Sequence, residues 1–305
     1  MSERLKGILS IPFVPFFEDL TIDYDGYRNE IKFLLDSGSN GVIIPEALSE
    51  FNQFTPDERN NLVAVTVREV GGKAPVIAGV SDSSAQMAKQ YAYQAQQDGA
   101  SAVIAMPPFI GPYPPDDMFR YYSTINSAVS IPVIIHNMLE PPGTIISPDF
   151  EKKLILELEN VCYTLEEAQN PSQSISALLR MTSDLPSDAF CGVFGGRHAV
   201  QIIEEYDRGS IGSVTGGTFA DVLAVLWTHL EKGDREKAYA LYERILPVQT
   251  YIGKYPLAAK EFLRMRGIIK SSAMRVSKGF RFDTINGHEM SRLLEEVSDL
   301  LLDFK

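Results

Sequence analysis

Short apolar runs alternate along this chain with longer stretches whose apolar positions recur at helical spacing. The runs are Gly7–Phe13, Gly41–Pro45, Pro75–Gly79, Ala102–Met106, Pro132–Ile135, Val161–Leu165, Ala189–Phe194 and Ile211–Thr215. Each is apolar almost throughout instead of alternating with polar residues, which predicts strands buried on both faces of a parallel sheet. The segments between them carry helix start and stop signals. In "TPDER", Thr55 is an N-cap, Pro56 sits at N1 and Glu58 completes a capping box. Ser147 and Pro148 repeat the device, and Gly38 and Gly99 stand where a helix C′ glycine is expected.

Eight strands alternating with helices over about 225 residues predict an α/β fold of the (β/α)8, or TIM, barrel type. A doubly wound open sheet would place a glycine-rich phosphate turn after the first strand, and "IPFVPFFED" contains none. Beyond the eighth run the pattern changes. Phe219–Lys232, Asp234–Tyr251, a stretch around Ala258–Ile269 and Gly287–Leu302 read as helices with no further strands. The first closes the barrel. The expected organisation is a barrel over residues 1–232 and a C-terminal helical extension over 233–305, docked on it without a linker.

The net charge of −12 over 305 residues argues against a nucleic-acid footprint or an anionic membrane surface, both of which need basic patches. Cys162 and Cys191 lie inside apolar runs and are expected as small core residues instead of a disulfide. No CxxC or His-x-His spacing points to zinc, and no metal or cofactor is expected. "MSERLKGILS" holds no apolar stretch of signal-peptide length and nothing reaches transmembrane length, so a cytoplasmic location is the expectation.

In such a barrel, chemistry gathers at the C-terminal ends of the strands. In order these ends read "IPFVPF", "PEALSEF", "AGVSDSS", "AMPPFIGPY", "IIHNMLEPPG", "YTLEEAQNP", "VFGGRH" and "SVTGGT". Together with "FTPDER", "IPVIIHN" and "EKGDREKAYALYERILP", this series resembles the dihydrodipicolinate synthase / N-acetylneuraminate lyase family of class I aldolases along nearly the whole chain. The resemblance implies an oxo acid such as pyruvate held as a Schiff base on a strand-6 lysine. The matching residue here is Leu165, which has no amine. Lys152, Lys153 and Lys260 are expected to lie far from that position. The strand-5 tyrosine that shuttles protons corresponds to His136, the strand-2 hydroxyl pair to Ala47 and Leu48, and the strand-4 tyrosines to Pro108 and Phe109. No carboxylate-clamping arginine is visible in "MLEPPGT". The resemblance further implies a homo-oligomer with the strand-4 tip at the tight interface.

His136 and Glu166 are the candidate catalytic residues. An imidazole can move protons near neutral pH, although a histidine bonded into the mouth is the competing reading. One of Glu166 and Glu167 should face the mouth and the other away. Ala47, Leu48, Leu165, Gly195, Gly196, Arg197 and Val214 are the candidate ligand-lining residues. The two glycines match positions that let substrate approach the backbone, and Arg197 could grip a carboxylate or serve a surface ion pair. Glu46 has no family counterpart and could enter the pocket, Glu50 is expected to tie loops, and Asn137 to hold the strand-5 turn. Two readings stand: a divergent lyase acting on a small oxo acid without Schiff-base chemistry, or a non-catalytic binding or structural paralogue.

Overall fold

The computed structural model describes residues 4–138, 144–187, 189–277 and 280–304. Eight parallel strands close in sequence order: β1 Gly7–Ile11, β2 Gly41–Ile44, β3 Val76–Gly79, β4 Ala102–Ala105, β5 Val133–Met138, β6 Val161–Glu167, β7 Gly192–Gly195 and β8 Gly212–Gly216. β1 closes on β8 with Gly7 opposite Gly212 and Ile11 opposite Gly216. The helices of the barrel are α1 Tyr24–Asp36, α2 Pro56–Val70, α3 Ala85–Gln97, α4 Pro115–Asn126, α5 Pro148–Glu157, α6 Pro171–Met181, α7 Ile202–Asp207 and α8 Ala220–Glu231. α9 Arg235–Lys254, α10 Pro256–Met265 and α11 Thr284–Glu296 follow.

Strand parity divides the core. Leu9, Ile11, Ile43, Ile104, Ile134, Leu165, Phe194 and Val214 fill the barrel interior. Their neighbours, including Ala78, Val103, Ile135 and Val193, pack outward against α2–α6. A further apolar cluster joins α1 and α8 to α9–α11 through Leu34, Leu226, Ile245 and Phe262. Most strands are thus buried and largely apolar on both faces, which is why the runs read as continuous.

The main difference from the sequence pattern lies in β5 and β6. Both continue beyond their apolar runs, with His136 opposite Leu165, Asn137 opposite Glu166 and Met138 opposite Glu167. The polar residues that resemble loop tips are ladder residues, and the period of two fixes which side of the wall each one faces.

Candidate active site

Three side chains converge at the C-terminal end of the interior. His136 Nδ1 lies 3.0 Å from Glu46 Oε1, and His136 Nε2 lies 2.7 Å from Glu167 Oε2. His136 is 2% exposed and the Glu46 side chain 1%, whereas Glu167 is 16% exposed. Glu167 is therefore the member that a ligand entering from the mouth reaches first. Burial by itself would depress His136, but the charges and hydrogen bonds of the two carboxylates outweigh it and raise the imidazolium to about 10. Burial would raise Glu167, but the bond and charge of His136, aided by the Arg197 amide, hold its carboxyl below the usual value.

Glu46 stands one residue, Pro45, beyond β2 and starts a short turn over Ala47–Ser49. Its second oxygen accepts from the Ala47 amide, and Ser49 Oγ donates to the Pro12 carbonyl at 2.9 Å, which pins the turn to the loop after β1. Ala47 and Leu48 are half-buried beside it. Glu50 faces away from the interior. It receives Lys260 Nζ at 2.7 Å and the amides of Arg275 and Val276 at 3.0 and 3.3 Å, so it ties the strand-2 loop to the extension. Lys260, wholly buried, also donates to the Ala273 carbonyl and lies over the Phe16 ring.

Glu166 does not stand in the mouth. It projects to the outer face of β6, where Asn137 Nδ2 donates to its two oxygens at 3.3 and 3.2 Å and the buried Glu151 of α5 lies against it. Counting alternately from the inward Leu165 sends Glu166 out and Glu167 in. Asn137 also clasps Ile146 through both its amide oxygen and its amide nitrogen. The strand-5 loop in which an arginine was sought, residues 139–143, lies outside the described residues.

Leu165 is fully buried in the interior cluster, and Val214 lies in the same cluster at 3% exposure. The room that Gly195 and Gly196 leave is taken by protein. A Cβ on Gly195 would overlap the Glu205 carboxyl, and one on Gly196 would overlap that of Glu167. These glycines admit two carboxyls where a substrate approach was expected. Burial and the neighbouring Glu167 push Glu205 up to about 8. Arg197, His198 and Ala199 form a turn with φ of 49°, 58° and 60°, a left-handed run that side-chain-bearing residues rarely adopt. The turn brings the Arg197 amide to Glu167 Oε1 and its guanidinium to the Glu167 carbonyl at 3.2 and 3.0 Å. The guanidinium is exposed and makes no ion pair among the described residues.

Glu46 and Glu167 bind opposite nitrogens of one imidazole ring, so the three cannot share an ion, and among the described residues no other set of three His, Cys, Asp or Glu is placed to hold a metal. No described helix is long and apolar enough to cross a membrane.

A closed eight-stranded barrel builds its sites at the C-terminal ends of its strands, which is where these acid and base groups stand. Residues 4–277 match the dihydrodipicolinate synthetase family, and the chain belongs to that family and to the class I aldolase superfamily. It is 30% identical over 277 residues to the L-2-keto-3-deoxyarabonate dehydratase of Azospirillum brasilense, covering 89% of this chain and 88% of that one. It is 25% identical over 287 residues to the 4-hydroxy-tetrahydrodipicolinate synthase of Methanopyrus kandleri, covering 93% and 94%. The dihydrodipicolinate synthase structure from Thermotoga maritima superposes with a TM-score of 0.88 at 21% identity, over 98% of this chain and 100% of that one.

Proposed function

We propose that the protein is a lyase that moves a proton on a small oxo acid by acid–base chemistry at Glu167, which His136 holds as its charged partner, without a covalent imine at position 165. The observation that carries this reading is the 2.7 Å contact of His136 Nε2 with Glu167 Oε2, with the carboxylate as the more exposed partner. Family membership supports the substrate class, and the dehydratase relative's name specifies a 2-keto-3-deoxy acid and the loss of water. In such a step Glu167 takes a proton from the carbon beside the carbonyl. The electron pair forms the carbon–carbon double bond as hydroxide leaves the next carbon, and the same proton completes water. His136 remains an imidazolium that steadies the carboxylate. The Arg197 guanidinium supports the substrate carboxylate or the developing enolate. Leu165, fully buried, supplies packing in place of an amine. The same reading expects a homo-oligomer contact at the strand-4 tip, where Ile110 is 75% exposed.

A second reading, a ligand-binding or structural paralogue without turnover, is favoured by the mutual satisfaction of Glu46, His136 and Glu167. The test begins with pyruvate, borohydride and an intact mass, where no adduct is expected and a trapped lysine would overturn the imine-free route. A thermal-shift panel of small oxo and hydroxy acids follows. Turnover of a stabilising acid that falls by about 10²–10⁴ in Glu167→Gln supports the lyase. A stabilising acid that is never turned over supports the ligand-binding form of the second reading, and a panel without any stabilising acid rejects the lyase and the ligand-binding form and supports the structural one.

A further inference from the structure

We infer that Glu46 is a positioning residue of this site: its carboxylate holds Nδ1–H of His136, fixing the ring's orientation and charge so that Nε2–H faces Glu167. This rests on the acid–base reading above and assigns a role to a residue that does not itself meet substrate.

The argument is one of donors and acceptors. A carboxylate only accepts, and a neutral imidazole has one N–H and one bare nitrogen. A ring with a carboxylate 3.0 Å from one nitrogen and another 2.7 Å from the second is satisfied at both edges only as the imidazolium. Glu46 is the buried partner of the two, so its charge cannot be exchanged for water. Its own geometry is set by the Ala47 amide and by the Ser49 anchor to Pro12, so it holds the ring from the fixed wall of the barrel.

The other charged groups around the cluster leave this assignment intact. Arg59 of α2 faces Glu46, but its guanidinium is bonded to the carbonyls of Ser81 and Gly79 at 3.0 and 2.9 Å. Glu166 acts on His136 from the reverse side of β6. His198, Glu205 and the Arg197 amide face Glu167 from the loop after β7 and from α7. Among the described residues, Glu46 and Glu167 are the two groups hydrogen-bonded to the ring.

Glu46→Gln tests the inference, because its amide oxygen still accepts from Nδ1–H while the charge is gone. Ring nitrogen and carbon shifts of His136 are followed by NMR against pH, with the other three histidines as internal references. The wild-type ring is expected to show both N–H groups at pH 8 and to begin titrating only near pH 10. In the variant the midpoint is expected to fall by about 1–3 pH units, the effect of losing one opposite charge in contact. With a turned-over acid, the variant also gains an alkaline limb in kcat at the same midpoint, with KM unchanged, which a merely structural role would not produce. An unmoved midpoint overturns the inference. So does a wild-type ring with a single N–H at pH 8, a measurement that stands even if the variant does not fold. Neither NMR readout needs a substrate, so a failure of the lyase reading on the acid panel is told apart from a failure of this one.

Discussion

On the inner face of the β5–β6 ladder, His136 stands between Glu46 and Glu167; on the outer face, Asn137 holds Glu166 beside Glu151. His136 and Asn137, like Glu166 and Glu167, are consecutive on the same two strands, Glu46 and Glu151 join them from the turn after β2 and from α5, and every group is largely or wholly buried. Their ionisation is pushed in opposite directions. Inside, a cation lies between two anions, and the Glu167 carboxyl is held low. Outside, among the described residues, no cation pairs with the carboxyls, and the neutral amide of Asn137 holds Glu166. Burial pushes Glu166 up to about 7 and, with the charge of Glu166, lifts Glu151 well above its ordinary value. The outer pair is a clasp that resists ionisation and the inner trio is a charged device. Which side of the wall a carboxyl faces decides whether its ionisation is hindered or favoured, and one residue separates the two outcomes.

The largest expected effect comes from removing the cation. His136→Ala leaves Glu46 and Glu167 as buried carboxylates with no counter-charge, and stability should drop by about 3–5 kcal/mol. Denaturant unfolding of both proteins across pH measures it. The ring's folded pKa of about 10 lies above the 6.5 of an unperturbed histidine, so its stabilising contribution is full below pH 6.5 and is lost as pH rises through 10. The deficit of the variant should be widest near pH 6 and should narrow toward pH 10. A deficit that does not change with pH would mean that the inner trio is not charged as described.

The barrel itself was legible because its strands are buried and largely apolar on both faces. The helix signals were legible too: Thr55 Oγ1 accepts from the Glu58 amide, Glu58 Oε2 accepts from the Thr55 amide, and Gly38 and Gly99 adopt φ of 81° and 96°. The site was only half legible. His136 stands out by its place in the series of strand ends. The apolar run stops at Leu165 and leaves open which of Glu166 and Glu167 faces the mouth, whereas alternation carried two residues further along β6 turns Glu167 inward. The partnership of Glu46 with His136 spans 90 positions and rests on barrel closure, which no local pattern reports. The glycines after β7 signalled close approach correctly, but nothing in their neighbourhood reveals that Glu205 and Glu167 fill the room.

The outer face should respond with the opposite sign. Glu166→Gln keeps an acceptor for Asn137 and a donor for Glu151 while removing a group that resists ionisation. The folded pKa of Glu166 lies above its unfolded value, so the wild type loses stability as pH rises from about 4.5 through about 7. The variant escapes that loss and should be more stable by about 3–4 kcal/mol at pH 8, from roughly 1.4 kcal/mol for each pH unit of the interval. The two proteins should converge near pH 4. A variant that is less stable at pH 8 would show that Glu166 is ionised and solvated, and the contrast between the faces would collapse.

The smallest effect is expected at the position where the family resemblance implies chemistry. Leu165 lies opposite His136 on the inner face, yet it belongs to the apolar interior with Ile134, Phe194 and Val214. If its contribution is packing, Leu165→Met conserves volume and should cost less than about 1.5 kcal/mol. Turnover of an accepted acid and the His136 titration should then stay as in the wild type. Leu165→Lys marks the other limit, because an ammonium there would sit beside an imidazolium and the pair would force one of them neutral. The expected state is a neutral amine, read by whether pyruvate and borohydride now trap an adduct at residue 165. A methionine variant that loses turnover while keeping its stability would show that residue 165 shapes the reacting substrate, and the division between a packed floor and a charged rim would have to be redrawn.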